Sequence, residues 1–422
     1  MRDSRLRTWR FIGVLLPAAV IGPAGQLTAQ AVRDSAGISI VSNERPMLPA
    51  ARAWRIDERP VLRIGGDDAP PDTVYELALI MGVSRMSDGR WAVGVQGAHT
   101  VRFFDASGKF VGSAGRQGQG PGEFRQILGM TGMPGDTIVV TDNREIEYFD
   151  GRGRFIRQGA SQRTMGDFGY VWPAAMLPGG SYVGFNLDQR VVPPPGRVTR
   201  TLPLVRVSSA GARIDSMGVV PINTEIFDGR QPYGTRLMFG PTSSLATAGE
   251  RIWFGFPDRY EVQELDQSGR LVRLARRAFT PTPVREAERR TVTEFRLETA
   301  GRDRLHPMTT AIKERIASTP FAETYPAFGE LKTDRSGNLW VQHYDWHSTL
   351  IEAGPSRVQT MSVASQWDVF GPAGRWLCTV TLPARFTPLE IGNDYVAGIA
   401  RDDDDVERVD IYRLRKPGVG QP

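Results

Sequence analysis

Six times along this 422-residue chain a glycine-led turn runs into a short strand of valine, isoleucine and aromatic residues. The stretches are "DGRWAVGVQ" at Gly89, "GDTIVVTDN" at Gly135, "GGSYVGFNLD" at Gly180, "GERIWFGFPD" at Gly249, "GNLWVQHYD" at Gly337 and "GNDYVAGIARD" at Gly392. Runs of this composition, bounded by turns, are buried strands. A second element follows most of them, an apolar strand closing on a tight turn at Gly108, Gly153, Gly211, Gly269 or Gly374. Each unit therefore reads strand, turn, strand, loop, strand, turn, strand. Six such units predict an all-β, six-bladed β-propeller of four-stranded antiparallel blades.

The ends of the chain carry the same reading further. The sixth unit stops after three strands, while "WRIDERPVLRIG" (Trp54 to Gly65) precedes the first unit with no partner. Its Pro60 suits an edge position. Donating that strand to the last blade closes the ring and covers an exposed edge, a use that two stacked sandwiches would not have for it. The expected organisation is a signal peptide at 1–31, an N-terminal extension at 32–53, the propeller at 54–416 and a tail at 417–422. A helical insertion is expected at 280–319, between blades four and five. There Met308, Ile312 and Ile316 recur every four residues, and Pro283 and Pro307 sit at first-turn positions.

The signal-peptide reading rests on three consecutive zones. "MRDSRLRTWR" is basic, "FIGVLLPAAVIG" is apolar, and Ala29-Gln30-Ala31 supplies a small-residue cleavage pattern. Twelve apolar residues are too few for a helix to span a bilayer core of about 30 Å. Localisation is therefore expected to be periplasmic or extracellular, with no membrane span in the mature protein. Residues 1–31 take a net +3 with them, leaving +2 of the chain's formal +5. That small surplus, with no basic helix or stripe, argues against nucleic acid as a partner. The single cysteine, Cys378, has no partner for a disulfide and lies in an apolar strand, where it reads as an inert buried thiol.

"GRQGQGPGEF" (Gly115 to Phe124) holds four glycines and a proline. No Gly-Lys-Ser/Thr follows, so it is not a phosphate cradle. It reads as the link from one blade to the next, with Phe124 packed between them. This stretch, together with "TIVVTDNREIEYFDGRGRF", resembles the NHL-repeat group of six-bladed propellers. "DSAGISIV", "YPAFGELKTDRSGNLWV" and "WDVFGPAGRWL" are similar to a family of secreted bacterial six-bladed propeller proteins, over residues 34–415. The resemblance implies the fold. It implies little about activity, since propellers of this kind include lyases as well as protein- and nucleic-acid-binding modules.

Four-stranded blades impose a rule on their loops. Turns between strands one and two and between three and four share one face. Loops between two and three, and the links between blades, share the other. All the long insertions fall in the second set, and long loops on a rigid scaffold are where binding residues gather. Candidate ligand-binding residues on this face are Asp142, Asn143, Asn186, Asp258, Arg259, Tyr344, Trp346 and Arg401. In "HYDWH", an extended backbone would set His343, Asp345 and His347 on one side, as a divalent metal requires, and Asp402 of "RDDDD" offers a further carboxylate. Turn-forming Asp and Asn that cap their own backbone are the plainer reading of most of these.

Two functions remain open. One is a binding or interaction module, monomeric, gripping a protein, peptide or glycan with its long-loop face. The other is a metal-dependent hydrolase or lyase with a site at the axial mouth, of the type that gluconolactonase-like propellers build from Glu, Asn and Asp ligands. That ligand set has no residue-by-residue match here. No G-x-S-x-G elbow is present, so no catalytic residue is named and no cofactor beyond a divalent metal is expected.

Overall fold

The computed structural model describes residues 30–66, 70, 72–142, 145–159, 171–187, 192–209, 214–302, 309–347, 363–402 and 404–417. Its strands assemble into six sheets, and within each blade consecutive strands pair antiparallel in chain order. Blade one spans 80–114, blade two 127–158, blade three 171–227, blade four 244–277, blade five 331–382 and blade six 386–415. The six-bladed propeller is thus the fold. The turn glycines behave as their spacing demands: Gly108 and Gly153 adopt φ of +84° and +77°, a region costly for any residue with a Cβ.

Ring closure follows the expected route. Arg55–Ile56 and Leu62–Ile64 lie antiparallel on Glu407–Arg415, with Ile56 opposite Leu414 and Ile64 opposite Val409. The apolar residues of neighbouring blades meet in separate clusters around the ring. Trp54, Trp340, Trp367, Val380 and Phe386 fill the seam between blades five and six. Ile64, Trp91, Phe104 and Ile399 fill the seam between six and one. Each large side chain so buried contributes about 1.5–3 kcal/mol, so the seams hold the blades to one another.

The Gly115–Phe124 link packs as expected. Phe124 is fully buried between blades one and two and meets Phe149 at 5.6 Å between ring centroids. The Glu123 carboxylate accepts from the amides of Gln119 and Gly120, which ties the glycine-rich loop to itself.

The N-terminal segment does more than close the ring. Gln30–Ser35 and Ile38–Asn43 form a hairpin, and its second strand adds in parallel to the outer strand of blade four, Leu271–Arg277. The chain then crosses to blade five, where the amides of Met47 and Leu48 donate to the carbonyls of Trp376 and Leu377. Blades four, five and six are strapped from outside by one continuous stretch.

The insertion after blade four is helical as predicted, with α1 at Glu286–Arg302 and α2 at Thr309–Ala317. Ile316 is buried; Pro307 and Met308 lie outside the described residues. On the long-loop face, Val284 and Val292 pack with Leu237 and Phe239 from the blade three–four link and with Ala322. Tyr325, Tyr344 and Trp346 lie against this satellite core. Three separate insertions thereby become one structure.

Candidate functional site

The satellite core and the seam between blades four and five enclose a pocket of about 360 Å³ on the long-loop face. Its walls are Phe279, Tyr325, Tyr344 and Trp346; Arg277 and His343 line it with them. Arg277 comes from the end of blade four's outer strand, while His343 follows blade five's second strand, Leu339–Gln342.

Both are held by Asp368, a fully buried residue of blade five's third strand. Its carboxylate pairs with the Arg277 guanidinium and accepts from His343 Nε2 at 3.0 Å, Tyr260 Oη at 2.6 Å and Thr379 Oγ1 at 2.6 Å. A carboxylate only accepts, so His343 carries its proton on Nε2, which leaves Nδ1 as the acceptor when the ring is neutral. Burial pushes Asp368 up, but the bond and charge of His343, together with Arg277 and Thr379, outweigh it and hold the carboxyl below its ordinary value. Burial, reinforced by the Asp368 charge, drives the Tyr260 phenol well above its ordinary value. Arg277 is fixed further by stacking, 4.0 Å from the Trp376 ring centroid.

The aromatic walls are also fixed from behind. Tyr325 donates to Glu288 Oε2 of α1 at 2.6 Å. Phe239 meets Tyr325 at 5.2 Å and Trp346 at 6.3 Å between centroids. Residues whose own positions are locked in this way form a preorganised surface. A second cavity, of about 620 Å³, adjoins the first on the axial side and shares Pro326, Tyr344 and Asp345 with it.

Of the candidates read from sequence, the structure gathers His343, Tyr344, Asp345 and Trp346 at this pocket. It does not arrange "HYDWH" as an extended strand with three ligands on one side. The backbone bends into a 3-10 turn at Trp346–His347, so His347 Nδ1 turns back onto Asp345 at 2.6 Å while His343 points to Asp368. Among the described residues no three His, Cys, Asp or Glu side chains converge as a metal would need.

The remaining candidates stay apart, at strand ends. Asp142 is buried and accepts from the amides of Arg125 and Gln126, capping the link between blades. Arg401 is buried against Glu407 within blade six. Asp402 accepts from the amides of Asp404 and Val406, an Asx turn at the hairpin tip. Asp258 and Arg259 are exposed, with Arg259 3.4 Å from Glu261. Asn186 is buried at the end of blade three's second strand, and Asn143 lies outside the described residues.

Arg277, Tyr260, Tyr325 and Asp368 were missed. One signal pointed to Asp368: a carboxylate inside "WDVF", among residues that all read as buried.

No family model matches the chain, and no curated protein matches it by sequence. By structure, a member of the DUF4221 family from Bacteroides vulgatus is similar, with a TM-score of 0.50 and 8% identity over 86% of this chain and 99% of that one. A Bacteroides fragilis protein described as exported has a TM-score of 0.45 and 12% identity, over 89% of this chain and 99% of that one. A gluconolactonase from Xanthomonas campestris has a TM-score of 0.38 and 11% identity, over 85% of this chain and 100% of that one. What such distant similarity shows is the propeller fold, the coarser part of the resemblance read from the sequence. The fold alone assigns no chemistry.

Proposed function

We propose that the chain acts outside the cytoplasm as a binding module, taking its ligand in the pocket between blades four and five. Export is supported by the basic, apolar and small-residue zones of residues 1–31. Among the described residues no helix is long and apolar enough to cross a membrane. The observation that carries the binding reading is the aromatic pocket whose lining includes Arg277 and His343, both held by the buried Asp368. Its polar groups are already aimed and its volume falls in the range of small-ligand sites.

The test is a fragment screen by thermal shift, with hits mapped by hydrogen exchange. Protection at 277–282 and 343–346 is the expected result. Protection confined to the opposite face would overturn the reading. There the short turns around Arg85, Arg335 and Glu390 line an axial cavity of about 790 Å³.

A further inference from the structure

The two adjoining cavities share a chemical character that narrows the ligand, if the pocket reading above is accepted. Charge is balanced throughout. Arg277 is paired with Asp368, Asp345 is bonded to His347, and Lys332 stands 3.3 Å from Glu330. The ionisable Arg, Lys, His, Asp and Glu residues lining the two cavities are thus Arg277, Glu330, Lys332, Asp345 and His343, whose Nε2 is bonded to Asp368. A strongly anionic or cationic ligand would have to compete with an existing partner at each of them, at a cost in desolvation and lost pairing.

A wholly apolar ligand fits no better. It would cover guanidinium, imidazole, carboxylate and threonine hydroxyl groups without bonding them, and buried polar groups so treated are costly. The first cavity presents the aromatic side chains Phe279, Tyr325, Tyr344 and Trp346, and Tyr344 lies on the wall that it shares with the second. A ligand with flat C–H faces for the rings and neutral hydroxyls around its rim satisfies both demands at once. Sugar rings have that chemistry.

We infer that this site takes a neutral glycan of at least two sugar rings, one against Trp346 and Tyr325 and the next in the cavity bounded by Lys332 and Gln342. The shared wall of Tyr344 and Asp345 lies between the two positions. A glycan, unlike a peptide, needs no run of backbone donors and acceptors to hold it.

The experiment is calorimetric titration of the full mature chain with neutral hexasaccharides of β-1,4-glucan, α-1,4-glucan, β-1,4-mannan and β-1,4-xylan. Hexauronates and a mixed hexapeptide library run alongside. Binding of a neutral hexasaccharide is expected, weakened at least tenfold by Trp346→Ala and retained within about threefold by Trp346→Phe, which keeps a ring. Lys332→Met is expected to weaken the hexasaccharide more than the matching disaccharide. Binding of only the uronates or only the peptides would overturn the inference, as would an equal effect of Trp346→Ala and Trp346→Phe in variants that melt like the parent. If no saccharide binds while fragments still protect 277–282 and 343–346, the glycan is wrong and the pocket stands. If nothing protects that segment, both fall.

Discussion

Asn43 and Trp376 are joined at 2.9 Å, the Asn43 carboxamide oxygen accepting from the Trp376 amide. The same side chain donates to the carbonyls of Arg276 in blade four and Gly374 in blade five, each at 3.1 Å. One buried amide therefore ties the N-terminal strap to two blades. It does so beside the tryptophan on which Arg277 stacks.

Asn43→Ala leaves one amide and two carbonyls to find new partners. The expected cost is about 1–3 kcal/mol, read from denaturant unfolding. A second consequence separates this from a bland loss of stability. Hydrogen exchange should quicken at 376–378 and at Arg277, while blades one and two keep their protection.

Asp368→Asn removes the charge that holds Arg277 and His343. Breaking one side of a buried pair typically costs about 3–5 kcal/mol. The pH dependence has a definite sign. Asp368 sits below its unfolded value of 3.8, so its contribution is present above that pH and is lost as pH falls through the folded value. The stability gap between parent and variant should be full at pH 7 and should narrow below pH 3.8. A gap that is constant from pH 7 to pH 2.5 would show that folding leaves the Asp368 carboxyl at its unfolded value.

Glu147 runs the other way. It is buried in blade two, and burial raises its carboxyl to about 7 from 4.5, reinforced by the nearby charges of Glu145 and Asp142 and opposed by its bond from Gln158. A raised value favours the fold below pH 4.5, and that contribution disappears as pH climbs through 7. Glu147→Gln should therefore melt close to the parent at pH 4.5 and several degrees above it at pH 8. Parallel melting curves across that window would rule the buried acid out.

Two glycine substitutions isolate packing from backbone strain. Gly135 and Gly115 have nearly the same φ, +79° and +78°. A Cβ on Gly135 would meet nothing within 4 Å, whereas on Gly115 it would fall 2.2 Å from the Phe124 ring. Gly135→Ala should cost about 1–2 kcal/mol, the price of the left-handed backbone. Gly115→Ala should cost about 1–3 kcal/mol more, from overpacking. Equal losses would mean that Phe124 moves aside freely.

Blade number, ring closure and the helical insertion were legible because each leaves a local mark: a glycine at a tight turn, an orphan strand, a four-residue apolar spacing. The outer strap was not. Parallel addition of Ile38–Asn43 to Leu271–Arg277 joins segments more than two hundred residues apart, and sheet pairing carries no signal at that range. The site was half legible for the same reason. "HYDWH" announced itself through rare residues close together, but Arg277 and Asp368 give those residues their orientation, and they arrive from other strands. The extended reading of "HYDWH" is replaced by a turn at Trp346–His347, where His347 Nδ1 meets Asp345.

Closure of the ring sets a schedule for the chain's folding. Residues 55–64 are made early, yet their partners in blade six, 407–415, are made some 350 residues later. Five blades can form their own hairpins as they emerge, but the sixth has nothing to close on until its last strand exists. Contacts so distant along the chain are the slow ones. The final seam, and the burial of Trp54 within it, therefore marks the moment at which an open arc becomes a ring.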